Sequence, residues 1–540
     1  MKLTCDPIPA ATETGRAGRI RGVRHVGQRA LLAEVEHPED VLALQEHLTA
    51  NPLIGQLEVI SAAETVMVTC TTEESARRIR QALLNMTFPP RQHGVSALVR
   101  IDVVYDGEDL RDIAAHCGLS PEAVINVHSA QTWTAAFTGF SPGLAYLVGE
   151  NNVLNVPRRP SPRTSVPTGS VALAGKYSSV YPRQSPGGWQ IIGHTRTAMW
   201  DLARESPALV TAGTEVIFQP VRAFSATSSH TAERPSPARE AEAGLRVLQA
   251  LPLTLIQDLG RAGHAAIGVS ASGAMDRPSL KRANRIVGNA PGAAALEIVD
   301  GGLGVEATAD QVLALTGAPV ELHIASPHGA RTAEMAQPFA LLTGEILTLG
   351  KPTSGFRSYL AARGGFDTPE VLGSQSTDTM SGLGPAPITP GQLLTVAPVK
   401  GINPVGWPEV QPDLSGPVAA VLDITLGPRD DWFSDEALSL LGSASWTASN
   451  ELNRVGMRLE GPKLQWSRTG ELPSEGTISG CIQVPPSGQP VVFLSDHPTT
   501  GGYPVIAVLA ETQLAKAAQI RPGTTVRFRI VPHQKETTDA

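Results

Sequence analysis

Apolar positions recur along this chain with two alternating periods. ALLAEVE (30–36) reads as a strand, and in HPEDVLALQEHLTAN after it Val41, Leu42, Leu44 and Leu48 share a helical face. ETVMVTC (64–70) and TEESARRIRQALLNM (72–86) repeat the alternation, with Ala76, Ile79 and Leu83 at helical spacing. Strand and helix alternating over so short a stretch predict a small α/β sandwich. ALVRIDVVY then reads as a strand. GEDLRDIAAHCGL and SPEAVINVHSA read as two short helices, the second opened by Ser-Pro-Glu. From residue 132 to residue 220 the pattern is strands and turns.

A weak repeat supports the β reading. Gly-x-x-apolar-x-apolar recurs as G213TEVIF218, G344EILTL349, G391QLLTV396 and G523TTVRF528. Each is a turn glycine followed by period-2 alternation, as a half-buried strand requires. The clearest seam is AFSATSSHTAERPSPAREAEA (223–243), which has linker composition and almost no large apolar residue.

Length and composition change this picture. A chain of 540 residues is too long for one core, so roughly two to four domains are expected. Its 52 glycines and 44 prolines suit many short elements joined by tight turns, which favours β-rich domains. The formal net charge of −8, with no basic run, gives no attraction to nucleic acid or to an anionic membrane. Cys5, Cys70, Cys117 and Cys481 lie far apart without a CxxC, which speaks against zinc ribbons and disulfide frameworks and fits a reducing compartment. No apolar signal region and no membrane-length apolar run is visible, so a cytoplasmic protein is expected.

Familiar catalytic signatures mostly fail. GSVALAGK and GEILTLGK have the wrong glycine spacing for a phosphate-cradling loop, and HExxH, GxGxxG and a biotin-accepting Met-Lys-Met are absent. GFSPG (139–143) formally matches the nucleophile elbow. There the residue after the serine lends its N–H to an oxyanion, and Pro142 has none, so Ser141 is no nucleophile of that kind.

What recurs instead is a glycine-rich turn flanked by single charges. PRRPSPRTSV puts Arg158, Arg159 and Arg163 on a proline-stiffened segment suited to anions, or else on a solvated loop. In YPRQSPGGWQ, Gly187 and Gly188 permit close approach and Trp189 walls a pocket or simply packs. LIQDLGRAGHAAIGVSASGAMD embeds Asp258, Arg261, His264 and Asp276 among small residues, and YLAARGGFD repeats the theme with Arg363. Glu297 stands alone in an apolar strand, where it either faces solvent on an edge or is buried with a partner. FLSDHPTTGGYP ends an apolar run on Asp496 and His497, candidates for acid–base work, followed by Thr499, Thr500, Gly501, Gly502 and Tyr503.

These motifs carry a resemblance. VHSAQTWTAAFTGFSPGLAYL, PRRPSPRTSVPTGSVALAG and VYPRQSPGGWQIIGHT resemble the allophanate hydrolase subunit 1 family, also known as the B component of bacterial 5-oxoprolinase. IQDLGRAGHAAIGVSASGAMD, RANRIVGN, YLAARGGFDTPEVLGSQST, SEGTISGCIQVPPSGQP and LSDHPTTGGYPVIA resemble allophanate hydrolase subunit 2, the C component of the same system. The resemblance implies an α+β, mainly β fold: a ferredoxin-like domain (17–96), a cyclophilin-like barrel (97–222), the linker (223–243) and two further cyclophilin-like barrels (244–400 and 401–532). The same modules are similar to the carboxyltransferase region of urea carboxylase. Where the family often has Arg, this chain has His194, which removes one anion contact from that turn.

The function so implied is the B–C component of an ATP-dependent 5-oxoprolinase. It would activate the lactam of 5-oxoproline for hydrolysis to glutamate, with MgATP and a separate A component of 5-oxoprolinase. Under that resemblance Asp496, His497, Asp258 and His128 are the catalytic candidates. Arg158, Arg159, Arg163, Gly187, Gly188, Trp189, Arg261, Asp276, Arg363, Thr499, Thr500, Gly501, Gly502 and Tyr503 are the substrate- or anion-binding candidates, and no metal ligand is expected. One alternative is a carboxyltransferase component acting on urea-like amides, with a biotin carrier supplied by another protein. Another is a regulatory protein of the kinase-inhibitor type. An oligomer is compatible with each reading.

Overall fold

The computed structural model describes residues 16–91, 97–224, 243–399, 401, 403–414 and 419–532, so the expected linker lies outside the described residues from 225 to 242. The N-terminal unit is one five-stranded antiparallel sheet carrying two helices. Its order across the sheet is Gln56–Ser61, Thr65–Cys70, Ala30–Val35, Gly18–Val26 and Thr87–Phe88. From Ala30 onward the chain runs strand, helix, strand, strand, helix, strand. Gly18–Val26 precedes this run as an added strand.

The strand Ala30–Val35 is buried on both faces. Leu31, Ala33 and Val35 face the helices Asp40–Ala50 and Glu73–Leu84 and pack with Leu44, Leu48, Ile79 and Leu83. Ala30 and Leu32 face the other way, where with Ile60 and Met67 they share a core with Ala265, Cys481, Phe493, Val505 and Val508 of the second half. Glu34 lies on that same face. Buried with an acid's charge, it requires cations: Arg429 Nη1 at 2.6 Å and Arg24 Nε at 3.0 Å. Arg429 also grips Glu475, through Nε at 2.9 and 3.0 Å and through Nη2.

Residues 98–220 form a seven-stranded sheet whose ends are joined by reciprocal bonds between Val104 and His194, each 2.9 Å. Residues 243–396 form two sheets, of six and five strands, around one apolar core. Residues 419–530 form a closed seven-stranded barrel. The architecture is therefore mainly β, as in a cyclophilin-like fold. All four Gly-x-x repeats fall on strands, each preceded by its glycine at positive φ (87°, 83°, 87° and 83°). Two of these strands, Glu215–Pro220 and Thr525–Ile530, play one structural part: each is the last strand of its barrel and pairs in parallel with the first. Among the described residues, no helix is long and apolar enough to cross a membrane.

His128 belongs to this scaffold rather than to an open site. It is fully buried in the first barrel, between Trp133 and Phe218, with its ring nitrogens bonded to Tyr105 Oη (2.7 Å) and Ser178 Oγ (2.9 Å). Burial pushes its pKa down to about 3 and keeps it neutral. A sealed imidazole with both nitrogens occupied corrects the expectation that it is catalytic.

Two tests follow from this packing. Unfolded histidine protonates near pH 6.5 and the folded His128 near 3, so its contribution to stability falls as pH drops through that interval, by about 1.4 kcal/mol per pH unit. Urea unfolding at stepped pH should show that slope in the natural chain and a flatter one in His128→Gln. Arg429→Met should cost about 3–5 kcal/mol, because Glu475 is left buried and unpaired and Glu34 keeps only the partly exposed Arg24. Combining it with Glu34→Gln and Glu475→Gln should recover most of the lost urea midpoint.

Candidate functional site

Four loops meet where the first barrel touches the second half. The loop 139–143 follows the strand Trp133–Thr138, and Thr138 Oγ1 donates to the Ala266 carbonyl. Gly143 N reaches Ile267 O at 3.4 Å. Approach is close enough to demand glycine: a Cβ on Gly139 would sit 2.3 Å from Thr500 Oγ1, and one on Gly268 would sit 2.5 Å from Ser141 O. The DHPTTGG turn is therefore a wall of this seam and not a free hairpin tip. Phe140, Ser272 and Leu372 carry positive φ (65°, 53° and 54°) in the loops that build it, a strained backbone held by its surroundings.

Asp496 is fully buried and saturated. It accepts from Ser272 Oγ (2.6 Å), Thr379 N and Oγ1 (2.8 Å each), Arg454 Nε (2.9 Å) and Arg454 Nη2 (2.8 Å). Burial alone would raise its pKa. The Arg454 charge, with the bonds from Arg454, Ser272 and Thr379, outweighs that and holds it below the usual carboxylate range. Arg454 also binds Glu297 Oε1 (2.6 Å) and the Gly273 carbonyl (2.7 Å). Glu297 Oε2 receives Tyr359 Oη at 2.7 Å and Met275 N at 3.0 Å.

Asp378 is a second buried acid in the same seam. Its Oδ1 accepts from Met380 N and Ser381 N, both at 3.0 Å, and Oδ2 lies 3.4 Å from Ser270 Oγ. Burial first, and then the nearby Asp496 charge, raise its pKa. The two acids are thus pushed in opposite directions, an arrangement that leaves one ionised and the other able to hold a proton. The partners agree with this split. Arg454 and Thr379 N can only donate to Asp496, whereas the serine hydroxyl at Asp378 Oδ2 can also accept.

His497 is buried beside Phe493, with Nδ1 donating to the Pro498 carbonyl at 2.8 Å. A carbonyl only accepts, so Nδ1 carries the hydrogen and Nε2 the lone pair. Burial lowers its pKa, against the Pro498 bond and the Asp496 charge. Thr499 Oγ1 and Ser141 Oγ are buried without a hydrogen-bond partner among the described residues. Thr500 and Gly501 pair with Gly476 and Glu475, and Gly502 follows them towards Tyr503, which is 43% exposed.

The other expected residues serve the loops. Asp258 accepts from Gly260 N, Gln375 N and Ser374 Oγ, each at 2.7 Å, and from Ser376 Oγ, bracing two loops together. Arg261 donates to the carbonyls of Val371 and Ser376, while its buried Nη1 has no partner among the described residues. Asp276 caps the helix Arg277–Ile286 through Ser279 N at 3.0 Å. Arg363 ties down two carbonyls, Val287 and Asn403, at 2.8 Å each.

Arg159 and Arg163 correct the anion-site expectation. Both are already spent on Asp109, at 2.5 Å for Arg159 Nη1 and 2.9 Å for each Arg163 bond, with Glu108 beside Arg163. Arg158 is exposed and has no such bond among the described residues. Gly187 pairs with Arg163, and Gly188 O accepts from Arg159 N at 2.8 Å. Trp189 packs edge-on to Tyr146 in a buried aromatic cluster.

Sequence reasoning missed Asp378, Arg454 and Arg183. Arg183 is half-buried and makes no hydrogen bond or ion pair among the described residues. Its only advance signal was the preceding Tyr-Pro. Among those residues, no group of three or more His, Cys, Asp or Glu side chains is placed to hold a metal.

Two family models match the chain. Residues 21–210 match the carboxyltransferase domain, subdomain C and D, and residues 267–530 match the carboxyltransferase domain, subdomain A and B. The chain is 37% identical over 294 residues to the C component of 5-oxoprolinase from Escherichia coli K12, covering 53% of this chain and 90% of that one. It is 35% identical over 206 residues to the B component of 5-oxoprolinase from Escherichia coli O157:H7, covering 36% of this chain and 94% of that one. The crystal structure of TTHA0988 matches with a TM-score of 0.80 at 31% identity, covering 93% of this chain and 99% of that one. With a B-like half and a C-like half in one polypeptide, the chain belongs to the family of the B and C components of 5-oxoprolinase, built on carboxyltransferase subdomains.

Proposed function

We propose that this chain is the fused B–C component of a cytoplasmic, ATP-dependent 5-oxoprolinase that works with a separate protein of the A type. The observation that carries the reading is the seam itself: relatives named as two different components are joined here, and loops from both halves enclose buried, unpartnered polar groups. A lactam is a stable amide, and opening it requires activation of the carbonyl. ATP with Mg²⁺ is the expected co-substrate and would supply that activation by phosphorylating the amide oxygen.

The residues of this chain prepare the amide. As its oxygen becomes nucleophilic, the lactam N–H must give up a proton, and Nε2 of neutral His497 is a lone pair in the right wall to receive it. Asp496 has no free acceptor site, so its part is positioning. It holds Ser272, Thr379 and Arg454 in one arrangement. Ser141 and Thr499 are free to bond the amide. The family's carboxyltransferase subdomains favour a second reading, carboxyl transfer to a urea-like amide from a biotin carrier on another protein.

The test is glutamate release from 5-oxoproline and ATP by this chain mixed with an A-type 5-oxoprolinase component, each protein alone serving as control. Activity should need the mixture. His497→Asn and Asp496→Asn should each lower kcat by about 10²–10⁴-fold while remaining folded. A folded Asp496→Asn with full activity would remove that residue from the scheme. Biotin-dependent carboxylation of urea, with no glutamate release, would transfer the assignment to the second reading.

A further inference from the structure

Most of the buried arginines in this molecule are already committed. Arg454 binds two carboxylates, Arg429 two, and Arg159 and Arg163 share Asp109. Arg183 departs from that pattern. It is half-buried in the segment between the strands Tyr177–Val180 and Ser185–Gly187, directly after Pro182, and it makes no bond among the described residues. The preceding proline restricts the backbone and so limits the entropy lost when the side chain is fixed.

Its surroundings belong to the other half of the chain. A Cβ on Gly382 would lie 3.2 Å from Arg183 Nη1, which places the guanidinium against the loop that carries Asp378. The connection runs on through the seam: Asp378 to Ser270 at 3.4 Å, and the Gly268 backbone against Ser141. Burial lowers the Arg183 pKa, and the Asp378 charge acts in the opposite direction. Arg261, whose Nη1 is buried and unpartnered, is subject to the same Asp378 field.

Arg454 is shared between Asp496 and Glu297, and Arg261 lies in the fields of Asp378 and Asp258, whereas the one carboxylate acting on Arg183 is Asp378, which makes no bond to it among the described residues. An unpaired guanidinium partly removed from water is costly unless an anion completes it. A planar fork of donors is met best by a carboxylate, through two parallel bonds. Elsewhere in the seam, the unpartnered hydroxyls of Ser141 and Thr499 are neutral groups suited to an amide.

We propose that Arg183, contributed by the B-like half, anchors the single carboxylate of a small ligand whose neutral amide is held by the seam loops that carry Ser141 and Thr499. For the 5-oxoprolinase reading, on which the identity of the ligand rests, this makes Arg183 the residue that distinguishes 5-oxoproline from an uncharged lactam. It also makes the site incomplete in either half alone.

The test compares 5-oxoproline with 2-pyrrolidinone, the same lactam ring without its carboxylate. Both are titrated by calorimetry into the full-length natural chain, Arg183→Gln and Arg183→Lys, and thermal unfolding of each variant is followed in parallel. Arg183→Gln should weaken 5-oxoproline binding at least tenfold, Arg183→Lys should recover part of it, and 2-pyrrolidinone should bind all three alike. In the glutamate assay with the A-type component, Arg183→Gln should raise KM for 5-oxoproline far more than it lowers kcat.

Unchanged 5-oxoproline affinity in a folded Arg183→Gln overturns the anchor. So does equal affinity of the natural chain for the two lactams, or binding of neither. Glutamate release by the natural complex with an unaltered KM in Arg183→Gln would overturn the anchor while sparing the oxoprolinase assignment. Arg183-dependent binding without glutamate release would do the reverse.

Discussion

A guanidinium in a dry interior must be neutralised and hydrogen-bonded on all sides, and Arg454 imposes that requirement on two β modules at once. It is rooted next to the strand Gly456–Glu460 of the last barrel, and it spans Asp496 on its own barrel and Glu297 on the middle one. Removing one partner from such a buried pair typically costs about 3–5 kcal/mol, because the other charge is left uncompensated. The middle and last modules are therefore held together through one buried cation, with Gln519 and Arg521 adding bonds across the same boundary. The remaining lone pairs on the same two Asp496 oxygens accept from Ser272 and Thr379, so the loops of the seam take their places from the same charge.

The junction with the N-terminal unit follows a different physical rule. A strand buried on both faces needs apolar residues at nearly every position, and Ala30–Val35 supplies them apart from Glu34. That acid marks where the sheet meets the last barrel, and Arg429 and Glu475 complete it there. Apolar burial supplies area at this contact, while the ion cluster specifies register: sliding the sheet by one residue would turn Glu34 away from Arg429 and towards the apolar core beneath the helices.

Features set by local spacing were legible in the sequence. The Gly-x-x repeats land on strands because a positive-φ turn and period-2 alternation are encoded within six residues. Glu297 was readable as a choice between edge and buried pair, and the pair was found with Arg454 and Tyr359. Arg454 itself sits in LNRVGM, text with no visible chemistry, because its partners are 42 and 157 residues away. The arginines of PRRPSPR misled for the converse reason. Their spacing suited an anion, but Asp109, some 50 residues earlier, already satisfies two of them.

The seam draws side chains and backbone from residues on both sides of the segment 225–242, so its halves must associate before it exists. In separate polypeptides that association is bimolecular and follows the amount of each one made. In one polypeptide the encounter is intramolecular, and a connection of this length sets a local concentration on the order of millimolar whatever the expression level. Assembly of the seam is then independent of dilution, and its two contributors are always made in equal number.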